Sequence, residues 1–376
     1  MRSKIRIMSE KKRFIISGGG TGGHIFPAIA IANRLKKVVP DAEILFIGAS
    51  DKMEMRRVPD AGYKIEGLHI YGISRDFSLK GIWKNIKLPF VLLKASSKAK
   101  RIIRDFEPDV AIGVGGFASG PALRAANKLG IPTLIQEQNS YPGVTNKLLA
   151  PKVRRICVAY DGLEKHFPAE KIVKTGNPVR DEILHIQKKL DSSYEFFGLS
   201  KNKKTLLVVG GSLGAKKINE TLLENIDKIK QMGIQLLWQT GESYYQQNQM
   251  ELSMLQTDSI KIVPFIKNMN DAYGIADIII SRAGALAIAE LSIIASPTIL
   301  VPFPYAAEDH QTKNAMALVN RGAALIVRDS EASEKLIPTF ENLLKNDVKC
   351  AEMSANMHQF ALPGAIDAIV ENILSL

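Results

Sequence analysis

Phe14-Ile15-Ile16-Ser17-Gly18-Gly19-Gly20-Thr21-Gly22-Gly23-His24 is the stretch on which the fold turns. Phe14–Ser17 is a short apolar run of the kind a buried strand needs. The glycines follow at once, and a helical periodicity runs from about His24 to Val38. Ile44–Ile47, Val110–Val114, Thr133–Gln136 and Ile156–Ala159 repeat the strand pattern, with helical segments between them. Strands alternating with helices predict a parallel sheet covered on both faces.

Downstream, the polar stretch Gln187 to Lys204 breaks this rhythm and predicts a domain boundary nearby. The pattern then restarts. Thr205–Val209 reads as a strand, Gly210-Gly211-Ser212-Leu213-Gly214-Ala215 as a glycine loop, and Lys216 as the start of a helix. Strands are expected near Gln235–Trp238, Lys261–Val263, Asp277–Ile280 and Thr298–Val301. The fold class is therefore α/β, two Rossmann-like domains facing across a cleft.

The chain has 376 residues, enough for two domains of about 100–200 residues each. Hydrophobic residues make up 46% and charged residues 23%, which excludes disordered, collagenous and disulfide-stapled classes. The net charge of +12 points to an anionic partner. Cys157 and Cys350 are too few for a disulfide framework and fit a reducing compartment. Ala283 to Ala307 carries a single charge, Glu290, but Ser296-Pro297 divides it. It reads as a buried helix and a buried strand, so no membrane span is expected.

Gly18, Gly20 and Gly23 satisfy G-x-G-x-x-G between a strand and a helix. Glycine admits a phosphate close to the backbone, and the helix start supplies N–H donors and partial positive charge. An NAD(P)-dependent oxidoreductase would add an acid at the end of the second strand. Here that strand ends Gly48-Ala49-Ser50, and Asp51 comes late. Further glycine loops follow at Gly115-Gly116-Phe117-Ala118-Ser119-Gly120-Pro121 and at Gly210 to Ala215. Three such loops imply several phosphate groups or one large substrate. A nucleic-acid or membrane adaptor would explain the charge but leave these loops without purpose.

Polar residues gather at the same strand ends. Glu137-Gln138-Asn139 follows a buried strand, and Gly176-Asn177-Pro178-Val179-Arg180 places a guanidinium suited to a diphosphate. Glu290 lies among Leu286, Ala287, Ile293 and Ile294 at helical spacing, so its carboxylate needs a partner. Two ribose hydroxyls would serve, and so would an arginine, with Arg282 nearest in sequence. His24 sits where the first loop meets its helix, where a positive helix end favours the neutral imidazole that can accept a proton. There is no Asp-x-Asp and no clustered metal-ligand spacing.

Taken in order, Gly18-Gly-Gly-Thr21-Gly-Gly-His24-Ile-Phe-Pro27-Ala, Gly115-Gly-Phe-Ala-Ser119-Gly-Pro121, Glu137-Gln138-Asn139, Gly176-Asn-Pro-Val-Arg180, Gly210-Gly-Ser212-Leu-Gly-Ala, Arg282-Ala-Gly-Ala-Leu-Ala-Ile-Ala-Glu290, Asp309-His-Gln311 and Asn314 resemble the MurG family of bacterial peptidoglycan GlcNAc transferases, glycosyltransferase family 28. The resemblance spans nearly the whole chain. It implies a GT-B architecture with an acceptor- and membrane-facing domain over 1–176 and a UDP-GlcNAc domain over 177–360. A C-terminal helix over 361–376 then packs back on the first domain. It implies inverting transfer of GlcNAc from UDP-GlcNAc to the C4 hydroxyl of lipid I, giving lipid II, with neither cofactor nor essential metal. A UDP-GlcNAc 2-epimerase is the nearest competing activity.

In residues, the resemblance assigns the donor to Thr21, Gly22, Gly23, Asn139, Arg180 and Ser212, the uracil to the backbone of Ile266, and further contacts to Ala285, Leu286, Ala287, Ile288, Ala289, Glu290 and Gln311. Glu290 then meets the ribose. The acceptor diphosphate falls to Gly20, Gly115, Gly116 and Ser119. The family often has His before Glu-Gln-Asn, whereas this chain has Gln136. The catalytic base is therefore expected at His24, with Glu137 as its rival.

One region speaks to location. Lys80, Lys84 and Lys87, then Lys94, Lys98 and Arg101, fall at helical spacing, and no acid occurs between Asp76 and Asp105. Ile82, Trp83, Ile86, Leu88, Phe90 and Leu92 interleave with them, and Pro89 is expected to separate two helical segments. A basic amphipathic surface suits anionic lipid. With a polyprenyl-linked acceptor, it predicts peripheral attachment to the cytoplasmic face of the bacterial inner membrane.

Overall fold

The computed structural model describes residues 11–72, 78–211 and 214–376. Two compact units emerge. The first comprises residues up to Pro178 together with Gly364–Leu376; the second is Val179–Pro363. The chain passes between them at Pro178, not in the polar stretch 187–204. Tyr194 and Leu199 of that stretch are buried in the second unit's core.

The first unit is built on seven parallel strands: β1 (Arg13–Ser17), β2 (Glu43–Ala49), β3 (Lys64–Leu68), β4 (Val110–Gly113), β5 (Thr133–Glu137), β6 (Arg155–Val158) and β7 (Ile172–Lys174), in the order β3-β2-β1-β4-β5-β6-β7. Side chains alternate across such a sheet. Phe14 and Ile16 join Phe46, Val110, Ile112 and Leu134 on one face. Ile15 joins Ile47, Ala111, Ile135 and Ile156 on the other. The C-terminal helix Ala365–Leu374 adds Ile366, Ile369, Val370 and Ile373 to the Phe14 face. Arg34 Nε donates to Asp367 at 2.5 Å, and Arg155 reaches Asn372 and Ser375.

Six parallel strands form the second unit: β8 (Thr205–Val209), β9 (Gln235–Gln239), β10 (Ile260–Val263), β11 (Ile278–Ser281), β12 (Thr298–Leu300) and β13 (Leu325–Ile326), in the order β10-β9-β8-β11-β12-β13. Leu206, Val208 and Trp238 face one core, while Leu207, Leu237 and Ile279 face the other. Trp238 is fully buried, and its indole N–H is satisfied by Asn219 Oδ1 at 3.0 Å. The apolar segment after Ser281 folds as the helix Ala285–Ile294 and strand β12, divided at Ala295. Among the described residues no helix is long and apolar enough to cross a membrane.

Pro89 does not divide its segment. One helix, Leu79–Phe106, runs through it. Pro89 is exposed. The carbonyl that loses its intrahelical donor on that side can turn to water.

Candidate active site

In a parallel sheet the loops after the strands all open at one edge. The first unit brings β1, β4 and β5 together there. Gly116 has φ +86°, and a Cβ on it would lie 2.3 Å from the Gly19 carbonyl oxygen, so the first two glycine loops pack backbone to backbone. Gly115 (φ +97°) lies against His24: its Cβ would sit 2.8 Å from His24 Nε2. Only glycine tolerates both the left-handed backbone and the contact.

His24 lies in the first turn of the helix Gly22–Val38, whose N-cap is Thr21. Its Nδ1 is 3.1 Å from the Gly19 carbonyl and 3.5 Å from Thr21 Oγ1. A carbonyl can only accept, so Nδ1 carries the hydrogen in the neutral ring and Nε2 carries the lone pair. Nε2 thus faces the second glycine loop at Gly115.

Glu54 organises the first loop. It is 1% exposed, and its carboxylate accepts from Gly20 N (Oε2, 3.0 Å) and Ala49 N (Oε1, 3.0 Å). The Gly20 amide therefore points into the protein. Gly20 contributes open space, since a Cβ there would meet nothing within 4 Å. Anion-binding amides are left to the helix start at Gly22 and Gly23. Ser119 is fully buried and donates to the Gly116 carbonyl at 2.9 Å, which fixes the second loop.

Glu137 has its carboxylate saturated. Oε1 accepts from Asn139 N at 3.0 Å and Asn139 Nδ2 at 3.2 Å. Oε2 accepts from Gly143 N at 3.1 Å and Asn146 Nδ2 at 2.9 Å. This buried acid holds the loop that presents Asn139. Gln136 is fully buried; it donates to Asn177 Oδ1 at 3.0 Å and meets Gln138 Nε2. Gln138 Nε2 also donates to the Val114 carbonyl at 2.9 Å, tying β5 to the second glycine loop. Gln136 thus stands in an interior amide network, where a titrating side chain has no solvent to exchange with.

The second unit assembles its own edge from β8, β9, β11 and β12. Ser212 lies outside the described residues. Beside it, Gly214 (φ +77°) packs on the Thr240 carbonyl, 2.0 Å from where its Cβ would be. Gln239 is buried; it donates to the Gly211 carbonyl at 3.0 Å and accepts from Ile266 N at 2.9 Å. One side chain therefore links the third glycine loop to the Ile266 segment. The Ile266 amide is thereby engaged within the protein, and exposed Phe265 stands next to it.

Glu290 projects from the helix Ala285–Ile294, with Gly284 as N-cap. Its partner is an arginine, but Arg180 and not Arg282. Arg180 Nε meets Oε1 at 2.8 Å and Nη2 meets Oε2 at 3.0 Å, a bidentate fork. The buried Tyr273 hydroxyl donates to Oε2 at 3.3 Å. Burial, reinforced by the Glu290 charge, holds the Tyr273 phenol well above its ordinary range, so it remains a donor. Arg282 is committed elsewhere, to Asp329 at 2.5 Å and to the carbonyls of Val301 and Pro302. Along the same helix, Ile288 is in the core, while Ala285, Leu286, Ala287 and Ala289 are half-buried. Gln311 Oε1 accepts from Phe303 N at 2.9 Å, holding the loop after β12.

Glu54, Gln239 and Tyr273 had no sequence signal. Each acts through groups distant in the chain, and none stands in a recognisable motif.

Two doubly wound parallel-sheet units, each with glycine loops and polar groups at its strand ends, give the chain the two-domain architecture of the GT-B class. Residues 14–158 match the glycosyltransferase family 28 N-terminal domain and residues 205–369 the family 28 C-terminal domain. The chain belongs to glycosyltransferase family 28. It is 52% identical to a Bacteroides fragilis protein over 366 residues, covering 97% of this chain and 95% of that one. It is also 52% identical to a Cytophaga hutchinsonii protein over 371 residues, 98% of each. Both relatives are named UDP-N-acetylglucosamine--N-acetylmuramyl-(pentapeptide) pyrophosphoryl-undecaprenol N-acetylglucosamine transferase. The crystal structure of Acinetobacter baumannii MurG matches with a TM-score of 0.78 at 34% identity, covering 97% of this chain and 100% of that one. A UDP-GlcNAc 2-epimerase from Neisseria meningitidis shares the fold at 17% identity and a TM-score of 0.65.

Proposed function

We propose that the chain transfers GlcNAc from UDP-GlcNAc to the C4 hydroxyl of lipid I, with His24 as general base. The observation that carries the activity is 52% identity along 98% of the chain to a relative named for this transfer. His24 is favoured over Glu137 because its ring lies between the first two glycine loops, with Nδ1 on the Gly19 carbonyl and Nε2 against Gly115, whereas the Glu137 carboxylate accepts four hydrogen bonds that hold its own loop.

In this mechanism the acceptor O4 attacks the anomeric carbon from the face opposite UDP. The new C1–O4 bond forms as the bond to the diphosphate oxygen breaks, which inverts the configuration. His24 Nε2 takes the O4 proton. The electron pair leaves with UDP, whose growing charge Arg180 neutralises. Uracil is read by the Ile266 backbone and ribose by Glu290. Donor contacts extend to Thr21, Asn139 and Gln311. The acceptor diphosphate rests on the loop at Gly115, Gly116 and Ser119, with Gly20 giving it room.

A membrane contact completes the reading. Trp83, Ile86, Phe90 and Leu93 are exposed at 61, 57, 70 and 68% and fall on one face of the helix Leu79–Phe106. Exposed Lys87 and Lys94 flank them, while the side chains of Lys80 and Lys84 lie outside the described residues. This stripe suits the anionic cytoplasmic leaflet that carries lipid I.

The transfer is tested with labelled UDP-GlcNAc and a soluble lipid I analogue in EDTA. Label on the acceptor with release of UDP is expected. A verified acceptor that stays unlabelled while UDP-GlcNAc becomes its 2-epimer would contradict the assignment.

A further inference from the structure

Glu290 already accepts three hydrogen bonds, and a carboxylate offers about four acceptor positions. A ribose diol needs two. While Arg180 is docked, one position remains, on Oε1. The proposed function also requires Arg180 for the diphosphate, so ribose and phosphate both make a claim on the Arg180–Glu290 contact.

Resting on that reading, we propose that nucleotide entry is an exchange at Glu290. Arg180 leaves the carboxylate for the diphosphate, the ribose hydroxyls take the positions it vacates, and Tyr273 stays as the fixed donor that keeps Glu290 aimed. The three groups are built for these parts. The Arg180 side chain is 47% exposed and ends a long flexible stem, so it can move. Tyr273 is 3% exposed on the helix Met269–Ile275, packed with Ile266, Ala272 and Ile275 in one core, so it cannot. Glu290 keeps one donor throughout and is never left as a bare, half-buried charge. Tyr273 is thus a positioning residue, and the Arg180 fork is a competitor to which a phosphate-bearing nucleoside offers a new partner and a bare nucleoside offers none.

The exchange makes a prediction of opposite signs. Uridine must displace Arg180 without offering it a phosphate, whereas UDP offers one. Uridine and UDP binding are measured calorimetrically for wild type, Arg180→Ala, Arg180→Met and Tyr273→Phe. Both Arg180 variants should bind uridine about 2- to 5-fold more tightly than wild type, the scale of an ion pair with one solvent-exposed partner. They should bind UDP about 10- to 100-fold more weakly, the scale of a charged phosphate contact. Tyr273→Phe should weaken both ligands by the same factor and raise the donor KM with kcat unchanged. Uridine affinity that is unchanged or lower in both Arg180 variants, with wild type still binding UDP, overturns the exchange. Tyr273→Phe with both affinities intact overturns the positioning role. Wild type that binds no UDP overturns the underlying site reading and the exchange with it.

Discussion

Cys157 sits on β6 inside the first unit's core. Burial pushes its thiol up from 9.0 to about 12, against smaller opposing pulls from Thr175 and Arg155. The folded thiol therefore keeps its proton at a pH where the unfolded one loses it. Its contribution to stability is complete below about pH 9 and is lost as pH rises toward about 12. Denaturant midpoints at pH 8 and about pH 10.5 should fall less in Cys157→Ala than in wild type. Equal losses would contradict this. The need of Glu290 for a partner was legible in its apolar helical neighbours. The partner's identity was not, because Arg180 lies 110 positions away in sequence and only the tertiary fold brings it near. Glu54 was silent for a different reason: an acid after a strand end looks like any solvated side chain until its amide donors are in place.

Among the elements, the helix Leu79–Phe106 has two unlike halves. Its later part is anchored by Ala95, Ala99, Ile102 and Ile103, whereas Trp83, Ile86, Phe90 and Leu93 face outward. Each basic residue near an anionic surface contributes about 1 kcal/mol. Charge reversal at Lys84, Lys87 and Lys94 should therefore release the protein from anionic vesicles at low salt while leaving its thermal midpoint in place. Unchanged co-sedimentation would remove the membrane role. The central strands were legible because buried parallel strands are continuous β-branched runs. Edge strands β3, β7 and β13 were not: Lys64-Ile-Glu-Gly-Leu alternates with polar residues, and β13 spans only two residues. Pro89 misled because a proline on an exposed helix face costs one hydrogen bond without stopping the helix.

For the whole molecule, the restart of strand, glycine loop and helix at Thr205 made the two-unit plan readable. Composition alone did not mark the crossing at Pro178, since the stretch Gln187–Lys204 is polar enough to resemble a linker although Tyr194 and Leu199 pack it into the second unit's core. The apolar spacing of Ile366, Ile369, Val370 and Ile373 marks a buried face, but the unit it covers is decided by shape. Each of these side chains contributes about 1.5–3 kcal/mol on burial, against a total domain stability of about 5–15 kcal/mol. Deleting residues 364–376 should leave the first unit unable to fold, read as loss of soluble protein. A soluble truncated chain with an unchanged thermal midpoint would contradict that.

The proposed mechanism divides the labour, with the base in the first unit and the nucleotide in the second. The most direct test sets kcat beside UDP-GlcNAc affinity for His24→Ala and Glu290→Ala. His24→Ala should lose about 10²–10⁴-fold in kcat with donor affinity intact, and Glu290→Ala should lose donor affinity first. If His24→Ala instead weakened donor binding and turned over at the wild-type rate, the assignment of the base, and the division with it, would be wrong.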